Sequence, residues 1–247
     1  MKFGHLAVMT LASWGAVIAR AATDELTASA KECTTGSIHG AAPAKIERAC
    51  NQSIGSGAFA GSELAMLYLG RANLHDFVGD KALALSDYDK ALELAPAAKG
   101  IHYNRGVFFT EQGDLNAARE DYDAELKLDS SSLPALYNRA RILAAQNHLD
   151  QAVADYSAAI AVGTHEPQLY ADRGGVYLRQ NKLNDAVADE TEAIRLKPEL
   201  AIAYFTRSAA YAGLGDPQKA QQDAETAIRL DPTLARRIRI NQNAPPR

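Results

Sequence analysis

The chain has 247 residues, of which 47% are hydrophobic and 23% are charged, and its formal net charge is −4 at pH 7. Attraction to nucleic acid favours a basic surface, which a mildly acidic chain does not offer. We therefore expect no nucleic-acid partner.

Residues 1–21 have the pattern of a secretory signal peptide. Lys2 precedes a mostly apolar run over residues 6–19, and small residues surround Arg20 on both sides. A charged start, a short apolar middle and a small-x-small exit are typical of an export signal, so we predict cleavage near Ala21 and a periplasmic or secreted mature chain. The run is shorter than the roughly 20 residues of a membrane span. We expect no stable membrane anchor, with an uncleaved anchor as the alternative.

Residues 22–61 precede the repetitive part of the chain and contain its two cysteines, Cys33 and Cys50. The sequence predicts a short helix around each cysteine, and in an oxidising compartment the two thiols can pair. We predict a structural disulfide that staples this segment into a helical cap. The alternatives have less support, because a redox centre usually has C-x-x-C spacing and a metal site needs more ligands than His39 adds.

Five in-phase copies of one 34-residue pattern follow. They occupy residues 65–98, 99–132, 133–166, 167–200 and 201–234. One column holds alanine in every copy, at Ala84, Ala118, Ala152, Ala186 and Ala220. Such a period is typical of solenoids and arrays, in which each unit buries its apolar face against its neighbours.

Each unit has a breaker near its middle, with apolar residues at helical spacing on both sides. The breakers are Gly79-Asp80, Gly113-Asp114, Asn147-His148, Asn181-Lys182 and Gly215-Asp216. Gly and Asn tolerate the positive φ with which helices often end, and Pro96, Pro198 and Pro232 stand where second helices close. The pattern therefore predicts an antiparallel helix hairpin in every unit.

These residues resemble the tetratricopeptide repeat (TPR), a family pattern with aromatic, small, alanine and proline residues at fixed offsets. The last unit matches that pattern with Tyr204, Ser208, Tyr211, Ala220, Ala227 and Pro232. The resemblance implies an all-α fold, a right-handed α-solenoid of five TPR helix hairpins over 62–240, with the disulfide-stapled cap at its N-terminal end. We expect a closing helix from Thr233 to Ile240 and a disordered tail over 241–247.

Two glutamates depart from the family pattern. Glu125 stands where the other units have alanine, and Glu190 stands where Tyr88, Tyr122 and Tyr156 stand in the first three units. We expect these glutamates to mark joints that face a ligand or accept an arginine from the next unit.

Two charged columns run through the repeats. An arginine and, 16 positions later, an aspartate recur in every unit, at Arg71, Arg105, Arg139, Arg173 and Arg207 and at Asp87, Asp121, Asp155, Asp189 and Asp223. A planar guanidinium can meet a carboxylate with two hydrogen bonds, so we predict a structural ion-pair ladder between first and second helices, within a unit or across a joint. The alternative is an anion-binding stripe, but a cation with a partner in every unit is poorly available to a ligand.

The sequence contains no catalytic or metal-binding motif. The histidines are scattered, none lies in H-E-x-x-H, and no serine lies in G-x-S-x-G. An enzyme needs a nucleophile with a base, paired carboxylates or a metal held in a cleft. We therefore predict a protein that is not an enzyme and has no cofactor and no metal.

The TPR resemblance also implies a binding groove, because the first helices of TPR arrays line an inner face that holds a partner's peptide or helix. The matching positions here are Leu69, Asn73, Tyr103, Asn104, Val107, Tyr137, Asn138, Arg141, Asp172, Arg179, Phe205 and Thr206. The pairs Tyr103-Asn104 and Tyr137-Asn138 offer ring area and amide hydrogen bonds to a backbone. The alternative is that they only pack neighbouring helices. The lysines that clamp a terminal carboxylate in some TPR domains are not at these positions.

The sequence thus predicts a protein–protein interaction scaffold of the cell envelope, similar to exported bacterial TPR proteins, whose partner is another protein of unknown identity. A glycan- or peptidoglycan-associated accessory protein is the alternative, because tyrosines and amides also suit sugars. Self-association is a third possibility.

Overall fold

The computed structural model describes residues 11–36, 41–163 and 165–235, and regular structure within these ranges is helical, without a strand. The described helices are α1 (Leu11–Thr35), α2 (Pro43–Gly55), α3 (Gly61–Val78), α4 (Lys81–Leu94), α5 (Ile101–Gln112), α6 (Leu115–Leu128), α7 (Leu133–Ala145), α8 (Leu149–Ala161), α9 (Pro167–Arg179), α10 (Leu183–Leu196), α11 (Ala201–Gly213), α12 (Pro217–Leu230) and a 3-10 helix (Pro232–Leu234). The all-α prediction is confirmed. The chain divides into two compact units, Met1–Phe108 and Phe109–Arg247.

The first unit begins with the cap. Helix α1 starts at Leu11 and includes the predicted cleavage point at Ala21, whereas residues 1–10 lie outside the described residues. In the described part of the chain, no helix is both long enough and apolar enough to cross a membrane. A disulfide joins Cys33 of α1 to Cys50 of α2, with their Cα atoms 4.7 Å apart, so the predicted pairing is confirmed.

The cap packs closely on α3. Cys33 and Cys50 are buried in one apolar cluster with Leu67 of α3, and the Cys33 sulfur lies 3.4 Å from the carbonyl oxygen of Leu67. A methyl group at Gly70 would come within 2.6 Å of the Cys33 carbonyl oxygen, so this approach requires glycine. The cap thereby covers an apolar face that the first repeat would otherwise expose.

Helices α3 and α4 form the first repeat hairpin. Their turn contains Gly79, whose φ of 93° lies in the left-handed region that glycine adopts without strain. The buried Tyr88 of α4 donates its hydroxyl hydrogen to Asn73 of α3 (2.7 Å), and its ring centroid lies 5.6 Å from that of Phe108 in α5. Tyr88 thus ties the two helices of this hairpin to each other and to the next first helix.

The second unit contains the hairpins α7/α8, α9/α10 and α11/α12, together with α6. Asn147 and Asn181, the predicted breakers, have φ values of 65° and 58°, in the left-handed region that asparagine tolerates. Ala118, Ala152 and Ala186 have no exposed surface. Their small side chains let first and second helices approach closely and fill the space between them.

The second unit ends in the 3-10 helix. Leu234 is buried against Ala224 and Ala227 of α12, where it covers the apolar end of the last hairpin. Residues from 236 onward lie outside the described residues, and these include most of the closing helix predicted up to Ile240 and the predicted tail.

Candidate functional site

The arginine column binds the aspartate column with two-point contacts inside hairpins. Arg71, Arg139, Arg173 and Arg207 donate from Nε and Nη2 to the two carboxylate oxygens of Asp87, Asp155, Asp189 and Asp223, at 2.7–2.9 Å. The four aspartates are buried. In each pair the hydrogen-bonded carboxylate raises the pKa of the guanidinium, although burial acts in the opposite direction.

The third nitrogen of each guanidinium, Nη1, reaches back to an earlier second helix. Its acceptors are Asn51 for Arg71 (2.8 Å), Asp89 for Arg105 (2.6 Å), Asp123 for Arg139 (2.7 Å), Ser157 for Arg173 (2.8 Å) and Thr191 for Arg207 (3.0 Å). The arginines therefore pair both within a unit and across a joint. A guanidinium committed on all sides has little left for a ligand, which favours the structural ladder over the anion-binding stripe.

Helices α7 and α9, the first helices of their hairpins, share a polar cluster. Tyr137 donates its hydroxyl hydrogen to Oδ2 of Asp172 (2.9 Å), and Gln168 donates from Nε2 to Oδ1 (2.7 Å). The ring of Tyr137 meets that of Tyr156 edge-on, with centroids 6.1 Å apart. Burial, and then the charge of Asp172, raises the pKa of Tyr137 to about 12, so the tyrosine remains a hydrogen-bond donor at neutral pH.

Two arginines add positive charge to this surface, which we call the α7/α9 face and define by Tyr137, Arg141, Gln168, Asp172 and Arg179. Arg141 is exposed, and its guanidinium lies 5.6 Å from the centroid of the Tyr137 ring. Among the described residues, no carboxylate forms an ion pair with it.

Arg179 is also exposed, and within the described residues it donates only to neutral acceptors, the carbonyl oxygen of Ala144 (2.7 Å) and Oδ1 of Asn147 (3.1 Å). Both oxygens of Asp172 already accept hydrogen bonds. The α7/α9 face therefore presents two cations that are not tied up in ion pairs, unlike the ladder arginines.

The other predicted groove residues of the second unit are less accessible. Asn138 and Phe205 are half-buried, and Phe205 packs against the cluster formed by Ala224, Ala227 and Leu234. Thr206 is buried, and its hydroxyl donates to the carbonyl oxygen of Ile202 (3.0 Å). Thr206 therefore offers little surface to a partner.

The predicted groove residues of the first unit also differ in exposure. Leu69 is buried, whereas Asn73, Tyr103, Asn104 and Val107 are half-buried. The carbonyl of Asn73 accepts the Tyr88 hydroxyl described above, and the amide of Asn104 donates to a backbone carbonyl at the start of its own helix (2.7 Å). Side chains that brace helices in this way serve packing before they serve a ligand.

Glu125 and Glu190 do not face a ligand as expected, because neither side chain lies at a surface that a ligand can reach. Glu125 is 3% exposed and Glu190 has no exposed surface. Glu190 also accepts no arginine from the next unit, since Arg207 is committed to Asp223 and Thr191. Sequence reasoning missed this burial, although the tyrosines in the same column were a signal that the position packs inward.

A second surface in the same unit is an open cleft with a volume of about 600 Å³ between α6, α7 and α8. It is lined by Arg119, Asp123, Arg139, His148 and Asp155 among others. Arg139 bonds both aspartates, and Nη1 of Arg119 donates to Gln146 (2.9 Å), so the charged side chains named here already have partners. The described residues contain no group of three or more His, Cys, Asp or Glu side chains arranged to hold a metal ion.

Comparison with known proteins identifies the family. The sequence profile of the tetratricopeptide repeat matches residues 69–132 and 137–201, and a second profile of the same repeat matches residues 201–234. These matches cover well over half of the 247 residues. The chain belongs to the tetratricopeptide repeat family.

Solved structures share this fold at low sequence identity. A crystal structure of the MamA protein is 23% identical over 70% of this chain and 94% of that chain, with a TM-score of 0.64. A crystal structure of YrrB, described as a TPR protein with an unusual peptide-binding site, is 22% identical over 71% of this chain and 92% of that one (TM-score 0.66).

The C-terminal part of a TPR protein from Cytophaga hutchinsonii is 16% identical over 87% of this chain and 83% of that one (TM-score 0.68). No curated protein matches the sequence. The structural likenesses define the fold, and the ligand of this chain must be argued from its own residues.

Proposed function

We propose that this protein is a non-catalytic interaction module that binds a polypeptide segment carrying an acidic side chain on the α7/α9 face. The observation that carries the proposal is Arg141, an exposed cation that lies over an aromatic ring and lacks an ion-pair partner among the described residues. The ladder arginines of the same unit are satisfied by aspartates inside the fold. Arg141 and Arg179 are left to meet an anion from outside.

The surroundings of Arg141 suit a polypeptide partner. The Tyr137 ring supplies a rigid contact surface at a low cost in conformational entropy. Its hydroxyl and Gln168 hold Asp172 in place, so the face is organised before a partner arrives. An acidic side chain placed at Arg141 would gain a charge-assisted hydrogen bond without disturbing an existing pair. YrrB, which has the same fold, is described as having a peptide-binding site.

Selection from a displayed library of random peptides on the immobilised protein tests the proposal. We expect the selected peptides to be enriched in aspartate and glutamate. The affinity of one such peptide, measured by fluorescence anisotropy, should fall by about tenfold or more in Arg141→Ala, because a charge-assisted hydrogen bond contributes about 1.5–3 kcal/mol. Replacing the acidic residue of the peptide by its amide should cause a similar loss.

The matched control is Arg195→Ala, which removes an exposed arginine that already has its own partner, Glu192. This variant should bind as the parent does. Peptides without acidic enrichment, or equal binding by Arg141→Ala, would contradict the proposal. Binding of peptidoglycan fragments that is lost in Tyr137→Ala would favour the glycan alternative, and a concentration-dependent mass in sedimentation would favour self-association.

We further propose that the protein acts in the cell envelope. Two features support this location, the disulfide between Cys33 and Cys50 and the charged, apolar and small-residue pattern over residues 1–21. N-terminal sequencing of protein from the envelope fraction of an expressing bacterium should give a start near Ala22. Recovery of Met1 from the cytoplasmic fraction alone would contradict the proposal.

A further inference from the structure

Glu190 is a carboxylic acid placed in the core of the second unit. It lies on α10 in the column that holds Tyr88, Tyr122 and Tyr156 in the first three repeats, and it has no exposed surface. The first three repeats fill this position with a large ring. The fourth repeat fills it with a group that is charged in water at neutral pH.

Neither oxygen of Glu190 has a hydrogen-bond partner among the described residues. The nearby Thr206 hydroxyl donates to the carbonyl oxygen of Ile202, so its proton is already committed. Arg207, the cation of the next first helix, is committed to Asp223 and Thr191. A buried carboxylate without donors is strongly disfavoured relative to the neutral acid.

The shape of the core fixes the Glu190 side chain where it is. A methyl group at Gly174 of α9 would come within 2.6 Å of Oε1 and 3.0 Å of Cδ of Glu190. The carboxyl group therefore occupies the space that a side chain at residue 174 would take. Because the carboxyl is enclosed by the helices packed around it, it cannot reach water unless they separate.

The charges that face Glu190 come from each helix around it. Asp189 lies next to it on α10, Asp172 lies on α9, and Arg207 lies on α11. Loss of water, followed by the two aspartates, raises the pKa of Glu190 to about 10, whereas Arg207 and the Thr206 hydroxyl act in the opposite direction. Because Asp189 is paired with Arg173 and Arg207 is paired with Asp223, the loss of water is the main cause of the shift.

We propose that the packing of α9, α10 and α11 depends on one proton, because these helices close around Glu190 only when it is a neutral acid and loosen when it ionises. The second unit thus contains a proton-sensitive joint between the fourth and fifth repeats of the chain. The joint shares helix α9 with the α7/α9 face, but the proton is held at Glu190, which is not a residue of that face.

The direction of the pH effect follows from proton linkage. In the unfolded chain Glu190 has an ordinary carboxyl pKa near 4.5, so above that pH the closed joint holds a proton that the open joint has released. The stabilising contribution is complete below the unfolded pKa and is lost as the pH rises towards the folded pKa. Over this window the opening equilibrium constant should rise about tenfold per pH unit.

Hydrogen–deuterium exchange of the full chain tests the proposal. The parent and Glu190→Gln are compared at the same pH, from pH 6 to about 9, so that the pH dependence of intrinsic exchange cancels. We expect amides of α9, α10 and α11 to lose protection in the parent relative to Glu190→Gln by a factor that grows about tenfold per unit. Amides of α3 and α4 in the first unit should show no such difference.

Glu192→Gln is the matched control, because Glu192 lies two residues away on the same helix but pairs with Arg195 at the surface. It should keep the pH dependence of the parent. If the protection ratio between the parent and Glu190→Gln does not change with pH, the proposal is overturned.

A measurement on the parent protein keeps the proposal testable even if Glu190→Gln does not fold. The infrared spectrum at pH 8 should show the carbonyl stretch of one neutral carboxylic acid, which Glu192→Gln retains. A spectrum at pH 8 without that band would overturn the proposal.

Discussion

Asp189 and Glu190 are neighbours on α10, and both are buried, yet they differ in every respect that decides the cost of burying an acid. Asp189 accepts two hydrogen bonds from Arg173 at 2.7 and 2.8 Å, whereas Glu190 accepts none from the described residues. A guanidinium gives Asp189 the hydrogen bonds that water would otherwise supply. Glu190 receives no such bonds from the described residues, which is why we propose that it is a neutral acid. Burial alone therefore does not set the charge of a side chain, and the donors that the fold supplies do.

We expect the largest loss of stability when Asp189, like Glu190, is left without hydrogen-bond donors. Arg173→Leu removes the guanidinium and leaves Asp189 without its two donors in a buried site. Breaking a buried pair in this way costs about 3 kcal/mol or more. Chemical denaturation of the variant should show a loss of that order.

The exposed pair of Arg195 and Glu192 is the control for this variant. Arg195→Leu should leave the unfolding curve unchanged within error, because solvent screens an exposed pair. If Arg173→Leu is as stable as the parent, the ion pair does not stabilise this fold.

The disulfide of the cap can be compared with the ion pair between Arg173 and Asp189. Changing Cys33 and Cys50 together to Ser opens a bridge between residues 17 apart in sequence, and the chain-entropy estimate for such a loop is about 3 kcal/mol. Hydrogen exchange should become faster in α1 and α2 and stay unchanged in α9 and α10. Unaltered exchange in the cap would show that packing on α3 holds it without the disulfide.

Two adjacent glycines, Gly174 and Gly175, test how closely α9 approaches the Glu190 carboxyl. Gly174→Ala places a methyl group against that carboxyl and should destabilise the protein by about 1–2 kcal/mol. Gly175→Ala meets nothing within 4 Å and should stabilise it by about 0.5–1 kcal/mol, because alanine favours a helix more than glycine does.

The sign of each change, read from urea unfolding midpoints, is the test. In a Glu190→Ala background, the penalty for Gly174→Ala should disappear, since the carboxyl that it meets is gone. A gain in stability for Gly174→Ala in the parent would contradict the tight approach.

Asp172 is a third case, a carboxylate held by neutral donors. Tyr137→Phe removes one of its two hydrogen bonds at a half-buried site, and we expect a loss of about 1 kcal/mol. Thermal unfolding measures that change, and Gln168 remains as a donor in the variant. A loss as large as that of Arg173→Leu would show that a neutral donor can replace a guanidinium here.

The repeat architecture was open to prediction because each structural requirement is written several times. The alanine column, the breakers and the arginines each recur at the same offset, so one exception does not hide the rule. The second arginine contact was visible too, since the acceptors at Asp89, Asp123, Ser157 and Thr191 lie 16 residues before the next arginine. Small polar residues in that column were the signal, which sequence analysis did not use.

The exposure of single side chains was not open to prediction in the same way. Leu69 and Thr206 occupy positions at which the family resemblance predicted a binding groove, yet here they are buried, because the closeness of neighbouring helices decides what remains accessible. The proposed protonation of the Glu190 carboxyl depends on Gly174, Thr206 and Arg207, which lie on two other helices. No spacing along the chain reports that all of the potential donors are already in use.

The two-directional contacts of the arginine ladder have a consequence for how such arrays lengthen. Arg139, Arg173 and Arg207 each reach 16 residues forward and 16 residues back, so each of their repeats carries half of the joint on either side of it. A tandem duplication in phase creates a new joint whose bonding groups are already present and complementary. Copies can therefore be gained without any new substitution, and the cap's Asn51 marks the one place where a bond of this kind ends outside the repeats among the residues described.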